Sequence, residues 1–532
     1  MSAHGPSSSS RRGEPPLIPS PTAPSEPTRS GGPPEPGPPA GGTARTRAAR
    51  TGTYARDGWS RFRRWLATTP ARVWLLTLVS AAAIIGLFAS ASHTLGQARA
   101  GLDVLGRGAG PQAMATTDLY LSLADMDARI ADVLLMGTDH GLGSGREDAL
   151  EQYEAGREQA NKSLLEAASL TEGDTVEERN VQEVLDGLGA YERLVTQALL
   201  RNDEAGAAPG EVNAEALESY RAATRLMHTE LLPKAFNLGL DSSAIVRANH
   251  EDGQAAVTLG LLWVGGVGVA VLLSLLGLQV YLRLKFRRRF NLPLIAASVL
   301  TVVLTAGVIQ ALVGSGGHQR DAKEEGLDAA MSLARGGAIA TDMQADQSRY
   351  LLDPEQADNY QQVYLERSQQ VLSRPVDNLA DYYTAVDEVA ASYPELPGSD
   401  GSDPDDPGTL GYLGQRAHDA LLPGQQDRLA DVLGAYNEIQ TQDRLMREAV
   451  RNDDLGEAIG IRMGVADSEN GTFAAYEEAL DGLTEAHREE FARGIRQGDA
   501  ALAPWAWLLP AGALVLLLLV ALGVRPRLAE YR

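Results

Sequence analysis

Four apolar runs constrain this chain more than any other feature. Val73–Ser92, Val257–Leu282, Leu292–Val313 and Trp505–Val524 contain no Asp, Glu, Lys or Arg. Each is long enough as a helix to cross a hydrocarbon core of about 30 Å. A lone apolar stretch in lipid must satisfy its backbone internally, which selects helix over strand. Marking these runs sorts the remaining charge. The segments before the first run, between the middle two and after the last hold 19 Lys/Arg against 5 Asp/Glu, whereas the two long intervening segments hold 28 against 65. Cytoplasmic loops of membrane proteins carry the Lys/Arg excess. The expectation is a multi-pass plasma-membrane protein with both ends of the chain and the middle turn cytoplasmic, and two acidic domains outside.

The chain divides accordingly. Residues 1–70 form a Pro/Gly/Ser-rich tail, 71–92 a first span, 93–256 a first acidic domain and 257–282 a second span. A basic turn at 283–291, a third span at 292–313, a second acidic domain at 314–504, a fourth span at 505–524 and a stub at 525–532 complete it. The tail, with Gly31–Gly42 reading GGPPEPGPPAGG, has too little apolar surface to offset the entropy of ordering and is expected to be disordered. Roughly 70 residues precede the first run, and the run exceeds the ~15 residues of a signal-peptide core, so it reads as a retained anchor. The tail ends in a basic aromatic patch containing Arg61, Arg63 and Arg64, and the turn carries Arg283, Lys285, Arg287, Arg288 and Arg289. These are candidates for contact with anionic membrane lipid or for coupling to a cytoplasmic partner. The acidic excess outside argues against a nucleic-acid partner.

Both acidic domains read as all-α. Leu119, Leu123, Met126, Ile130 and Val133 follow the 4-3-4-3 spacing of a bundle seam. Leu217, Tyr220, Thr224, Met227 and Leu231 keep that period, as do Phe473, Tyr476, Leu480, Leu483 and His487. The domains also resemble each other. Asp125-Met126-x-Ala128 with Leu134-Leu135 recurs 217 residues later as Asp342-Met343-x-Ala345 with Leu351-Leu352. Arg201-Asn202-Asp203 recurs 250 residues on, and Leu217/Tyr220/Met227 reappears 256 residues on as Phe473/Tyr476/Leu483. The predicted architecture is four transmembrane helices carrying two tandem extracytoplasmic four-helix bundles, with the last helix of the first bundle running unbroken into the membrane through His250–Ala255.

Little here supports catalysis. The chain has no cysteine, hence no disulfide, thiolate nucleophile or Cys-ligated zinc. Its eight histidines are scattered without metal-ligand spacing, and no Gly-rich phosphate loop or nucleophile elbow is present. No enzymatic activity, cofactor or metal is expected. Asp400–Asp406 (DGSDPDD) lacks the alternating ligands of a calcium loop and reads as a solvated linker. The spans carry none of the ionisable groups that build a transport path, their most polar deep residue being Gln310. Small-residue stripes, Ala82/Gly86/Ser90 and Gly266/Ala270/Ser274, are candidates for close helix packing. Asp125, Asp127, Arg129 and Asp132, with Asp342, Asp346 and Arg349 in the second domain, read as a solvated helix face. Within them Asp125, Arg129, Asp342 and Arg349 are candidates for an outer partner face.

A span, a helical bundle of about 160 residues and a second span resembles the periplasmic sensing unit of chemoreceptors and related bacterial sensors. The duplicated four-span layout with a Pro-rich basic tail, from Trp59 to Arg532, resembles the actinobacterial GlnX family. That resemblance implies an extracytoplasmic amino-acid-binding lipoprotein (GlnH) and a cytoplasmic Ser/Thr kinase (PknG) as partners, and a role in reporting external amino acids to metabolism. It carries over no functional residue. An envelope or secretion assembly scaffold and an accessory transporter subunit remain alternative readings, and a homo-oligomer is compatible with the layout.

Overall fold

The computed structural model describes residues 69–529, apart from 139–141, 143–144, 171–174, 287–290, 395–409, 415–421 and 469. Arg61, Arg63, Arg64, Arg287, Arg288, Arg289 and Asp400–Asp406 therefore lie outside the described residues. The fold is all-helical, with no strand among the described residues.

Four continuous rods organise the molecule. Helix α1 (Thr69–Arg107) meets α2 (Ala109–Met136) at Gly108. Helix α5 (Ala214–Leu226) passes through a π turn, Met227–Leu231, into the 55-residue α6 (Leu232–Phe286). Helix α7 (Leu292–Asp321) passes through a second π turn, Ala322–Leu327, into α8 (Asp328–Leu352). Near the end of the chain α13 (Thr472–Leu502) continues into α14 (Trp505–Ala529). The rods are 66, 71, 61 and 55 residues long, and each contains a stretch long and apolar enough to cross a membrane. At about 1.5 Å per residue they extend roughly 80–105 Å. The first π turn ends two residues before Pro233, whose ring would clash with an uninterrupted α-helical turn and whose missing N–H removes one of its hydrogen bonds.

The spans pack α1 on α6, α6 on α7, α7 on α14 and α14 on α1, around Ile84, Leu87, Val264, Val271, Val308 and Leu516. The predicted second small-residue stripe does not make the close contacts. Gly266 and Ala270 are exposed, and a Cβ on Gly266 would meet nothing within 4 Å. A Cβ on Gly86 would make only ordinary contact with Val267, at 3.9 Å. Helices approach instead at Gly260 against Thr94 and at Gly268, whose Cβ would stand 2.8 Å from Thr305. Polar side chains fasten the spans at their ends: Gln279 Nε2 donates to Leu294 O (2.9 Å), Asn291 Nδ2 to Gly523 O (2.9 Å) and Gln319 Nε2 to Ala98 O (3.0 Å). Gln310 is exposed.

Beyond the spans lie two helical bundles. The first is built from α2, α3 (Arg146–Leu170), α4 (Thr175–Ala205) and α5–α6. The second uses α8, α9 (Ala357–Val371), α11 (Gln425–Arg451) and α13, and adds α10 (Leu379–Ser392) and α12 (Leu455–Val465) to the four-helix plan. Its core stacks Tyr364, Tyr382, Tyr436 and Tyr476 among Leu and Val side chains. The bundles are not independent. Helix α2 packs along α8, and Leu351, Leu352, Met446, Ile459 and Met463 of the second bundle belong to the same apolar core as Leu123, Ile130 and Leu134 of the first.

Candidate functional site: the seam between the bundles

Helix α2 is enclosed on almost every side, by α3, α6 and α8. An acidic residue placed on it therefore enters the interior unless it faces a cleft. Asp127 and Asp132 do so, at 0% and 2% exposure. Burying a charge is costly unless it is paired and hydrogen-bonded, and both are paired across the seam. Arg349 on α8, also 2% exposed, binds Asp127, bonds Asp346 at 2.8 Å and donates from Nε to Tyr220 at 3.1 Å. Tyr191 donates to Asp127 at 3.0 Å, and His228 Nε2 stands 3.4 Å from it. Burial alone would raise the Asp127 carboxyl, but the Arg349 charge, the neighbouring His228 ring and the bond from Tyr191 outweigh it and hold the group at about 2.

Three further ion pairs cross the seam. Arg462 on α12 donates to Asp132 at 2.7 Å, and Ser348 on α8 donates to the same carboxylate at 2.5 Å. Arg221 on α5 grips Asp353 with two bonds of 2.8 and 2.5 Å. Arg488 on α13 pairs with Asp118 on α2 at 2.8 Å. Arg367 on α9 binds Asp346 and reaches His228 Nδ1 at 3.3 Å.

These positions correct the expected solvated face. Asp342 and Arg349 are both buried, each 2% exposed, Arg349 inside the seam and Asp342 in the wall of a cleft. The physical reason is the packing of α2 on α8, which removes that face from solvent. Asp125 and Arg129 are only partly covered, pair with each other at 3.0 Å and line a cleft. Of the basic candidates at the far end of α6, Arg283 is exposed, and Lys285 falls within the helix. The seam residues Asp127, Asp132, Tyr220, His228 and Arg462 were not singled out as a site from the sequence. A signal for it was present. At the 217-residue offset Arg129 aligns with Asp346 and Asp132 with Arg349, so the charge changes sign between the two domains. Opposite charges at matched positions suit helices that pack on each other.

Clefts open along the seam, two of them lined by residues named above. The larger, about 770 Å³, lies between α2, α3, α8 and α13, with Asp125, Arg129, Tyr476, Glu477, Asp481 and Arg488 among its lining residues. The other, about 370 Å³, lies between α2, α6, α8 and α9, with Tyr120, His228, Phe236, Arg335, Asp342 and Arg367. There Arg335 sits 5.2 Å over the Phe236 ring, a cation–π contact. Among the described residues no group of three or more His, Asp or Glu side chains is placed to hold a metal ion.

A family model described as an actinobacterial sensor domain matches residues 101–251. No curated protein and no solved structure matches the chain. The matched stretch runs from the end of α1 to the membrane-proximal part of α6 and includes the whole first-bundle side of the seam. The chain thus combines four helices long and apolar enough to cross a membrane with a region similar to an actinobacterial sensor domain, which points to a sensing or signalling role.

Proposed function

We propose that this protein is a transmembrane signal transducer without enzymatic activity, with its two bundles outside the cell and its basic segments in the cytoplasm. The charge partition of the sequence supports that orientation. The mechanical continuity of the rods carries the reading: each joins the seam to a span with no flexible linker. Helix shifts of about 1–2 Å at packed interfaces are a known form of switching, and a stiff rod delivers such a shift across the bilayer. A stimulus drives it only by binding two arrangements of the seam with different affinity.

In this reading the two bundles are diverged copies of one unit. An amino-acid-binding lipoprotein acts on them from outside, and a Ser/Thr kinase reads the tail and the basic turn from inside. The resemblance to GlnX-type proteins supports this choice of partners. Photo-crosslinking in native membranes, with probes placed on the exposed faces of the bundles, tests it. The expected result is amino-acid-dependent capture of a solute-binding lipoprotein, with kinase recovery through the tail. Intact protein that captures neither under any amino-acid condition would overturn it.

A further inference from the structure

The larger cleft has properties that a structural crevice does not require. Four carboxylates line it, Asp125 from α2 and Glu477, Asp481 and Glu485 from α13, against two guanidinium groups, Arg129 and Arg488. Both guanidinium groups are engaged, Arg129 by Asp125 at 3.0 Å and Arg488 by Asp118 at 2.8 Å. A further cleft of about 460 Å³ adjoins it and shares Arg129, Gln152, Ala155 and Glu477, adding Asp148, Glu151 and Asp467. Together they make an elongated acidic trough along one side of the seam, with Glu477 where the two meet.

Two observations separate this trough from an ordinary acidic surface. Tyr476 lines it, is fully buried, and has a hydroxyl without a hydrogen-bond partner. Buried polar groups are normally satisfied, so an orphaned one at a cleft calls for an occupant. Glu477 is largely withdrawn from solvent and faces Asp125 and Asp481 as like charges. Burial first, and then these neighbours, push its carboxyl up to about 7, against the pull of Arg129. An occupant that brings positive charge relieves both burial and repulsion. The carboxylates do not converge as a metal site does. They are strung along the trough, which suits a chain carrying several separated cationic groups.

We propose that this trough is a binding site for a linear polyamine, with Glu477 as its central anchor and Asp481 and Asp125 beside it. The site lies between the bundles, so its occupant touches α2 and α3 of one and α13 of the other and biases how they sit together. It constitutes an input distinct from a docked protein partner and does not depend on which partner the bundles recruit.

The test uses the full-length protein in nanodiscs of zwitterionic lipid, so that polyamine adsorption to lipid headgroups is absent. Calorimetric titration at pH 8 with spermidine should give saturable binding, unmatched by magnesium chloride or by glutamate at equal ionic strength. Glu477→Gln should weaken it at least tenfold and Asp481→Asn about threefold. Binding by the unaltered protein should weaken as pH falls from 8 to 6 and Glu477 takes up a proton. The other charged groups around that carboxylate are Asp125 and Arg129 on α2, Asp148 and Glu151 on α3, Asp467 after α12, and Asp481 and Glu485 on its own helix. No spermidine binding, or binding reproduced by magnesium, would overturn the proposal. So would affinity unchanged in Asp481→Asn, a variant at an exposed position that keeps the proposal decidable even where Glu477→Gln does not fold.

Discussion

Arg349 illustrates how much one side chain can hold at this seam. Its guanidinium binds two carboxylates and a tyrosine hydroxyl while the residue is only 2% exposed. Removing one partner of a buried pair strands the other, at a cost of about 3–5 kcal/mol. Arg349→Met should therefore lower the thermal midpoint of the purified protein sharply, and pairing it with Asp127→Leu should recover part of the loss. An unchanged melt in the single variant would show that the network contributes nothing net. Acid should act in the same place. Asp127 titrates near 2 in the fold, below the ordinary carboxylate value of about 3.9. Its contribution, roughly 2–3 kcal/mol, is complete above about pH 4 and is lost as pH falls towards 2. Glu477 has the opposite sign. With its carboxyl raised to about 7, the fold prefers it protonated, so it destabilises the protein above pH 7 and less as pH falls. Unfolding curves at pH 8 and pH 5 should show Glu477→Gln stabilising at the higher pH and nearly neutral at the lower.

At the scale of elements, the junctions between bundle and span carry the most specific geometry. The π turn at Ala322–Leu327 lies against α13, where His487 Nδ1 meets Glu325 O at 2.5 Å. A Cβ on Gly326 would fall 2.6 Å from the Phe491 Cα, and backbone does not yield as a flexible side chain would. Gly326→Ala should separate these helices and cost about 1–3 kcal/mol, as overpacking does. Gly253→Ala, in α6 with nothing within 4 Å of its would-be Cβ, should instead stabilise the helix by about 0.5–1 kcal/mol. Thermal unfolding of the two variants side by side checks both signs. The continuity of α6 was legible in the sequence because His250–Ala255 contains only one glycine and no proline. The π turns were not, since only Pro233 marks either of them locally. Helices α10 and α12 were likewise hidden, although the offset between matched residues grows from 217 to 250 to 256, which records inserted length. The seam was misread for a deeper reason. Periodicity on α2 identifies one apolar stripe, and Asp127 and Asp132 lie off it. A helix buried on several sides has no polar face to reveal, and which side meets a second bundle is a tertiary fact.

For the molecule as a whole, the seam makes the two halves a single folding unit despite their separate spans. Without the second bundle, the first would expose Ile130, Leu134 and their neighbours, which share a core with Leu351, Ile459 and Met463. It would also leave Asp127 and Asp132 without Arg349 and Arg462. Both losses fall on α2, which continues directly into the first span, so the damage would not stay at the far end of the bundle. A chain divided within the turn at 283–291 provides the test. Two halves co-expressed as separate polypeptides should co-purify and unfold in one cooperative transition close to that of the intact protein. The first half alone should lose that transition, with its α2 amides exchanging hydrogen far faster than in the pair. If the first half alone melts as the intact protein does, the bundles are autonomous, and a signal would then have to pass through each pair of rods separately. Co-dependence would mean that any ligand or partner engaging one bundle necessarily shifts the other, so that all four spans receive the same input.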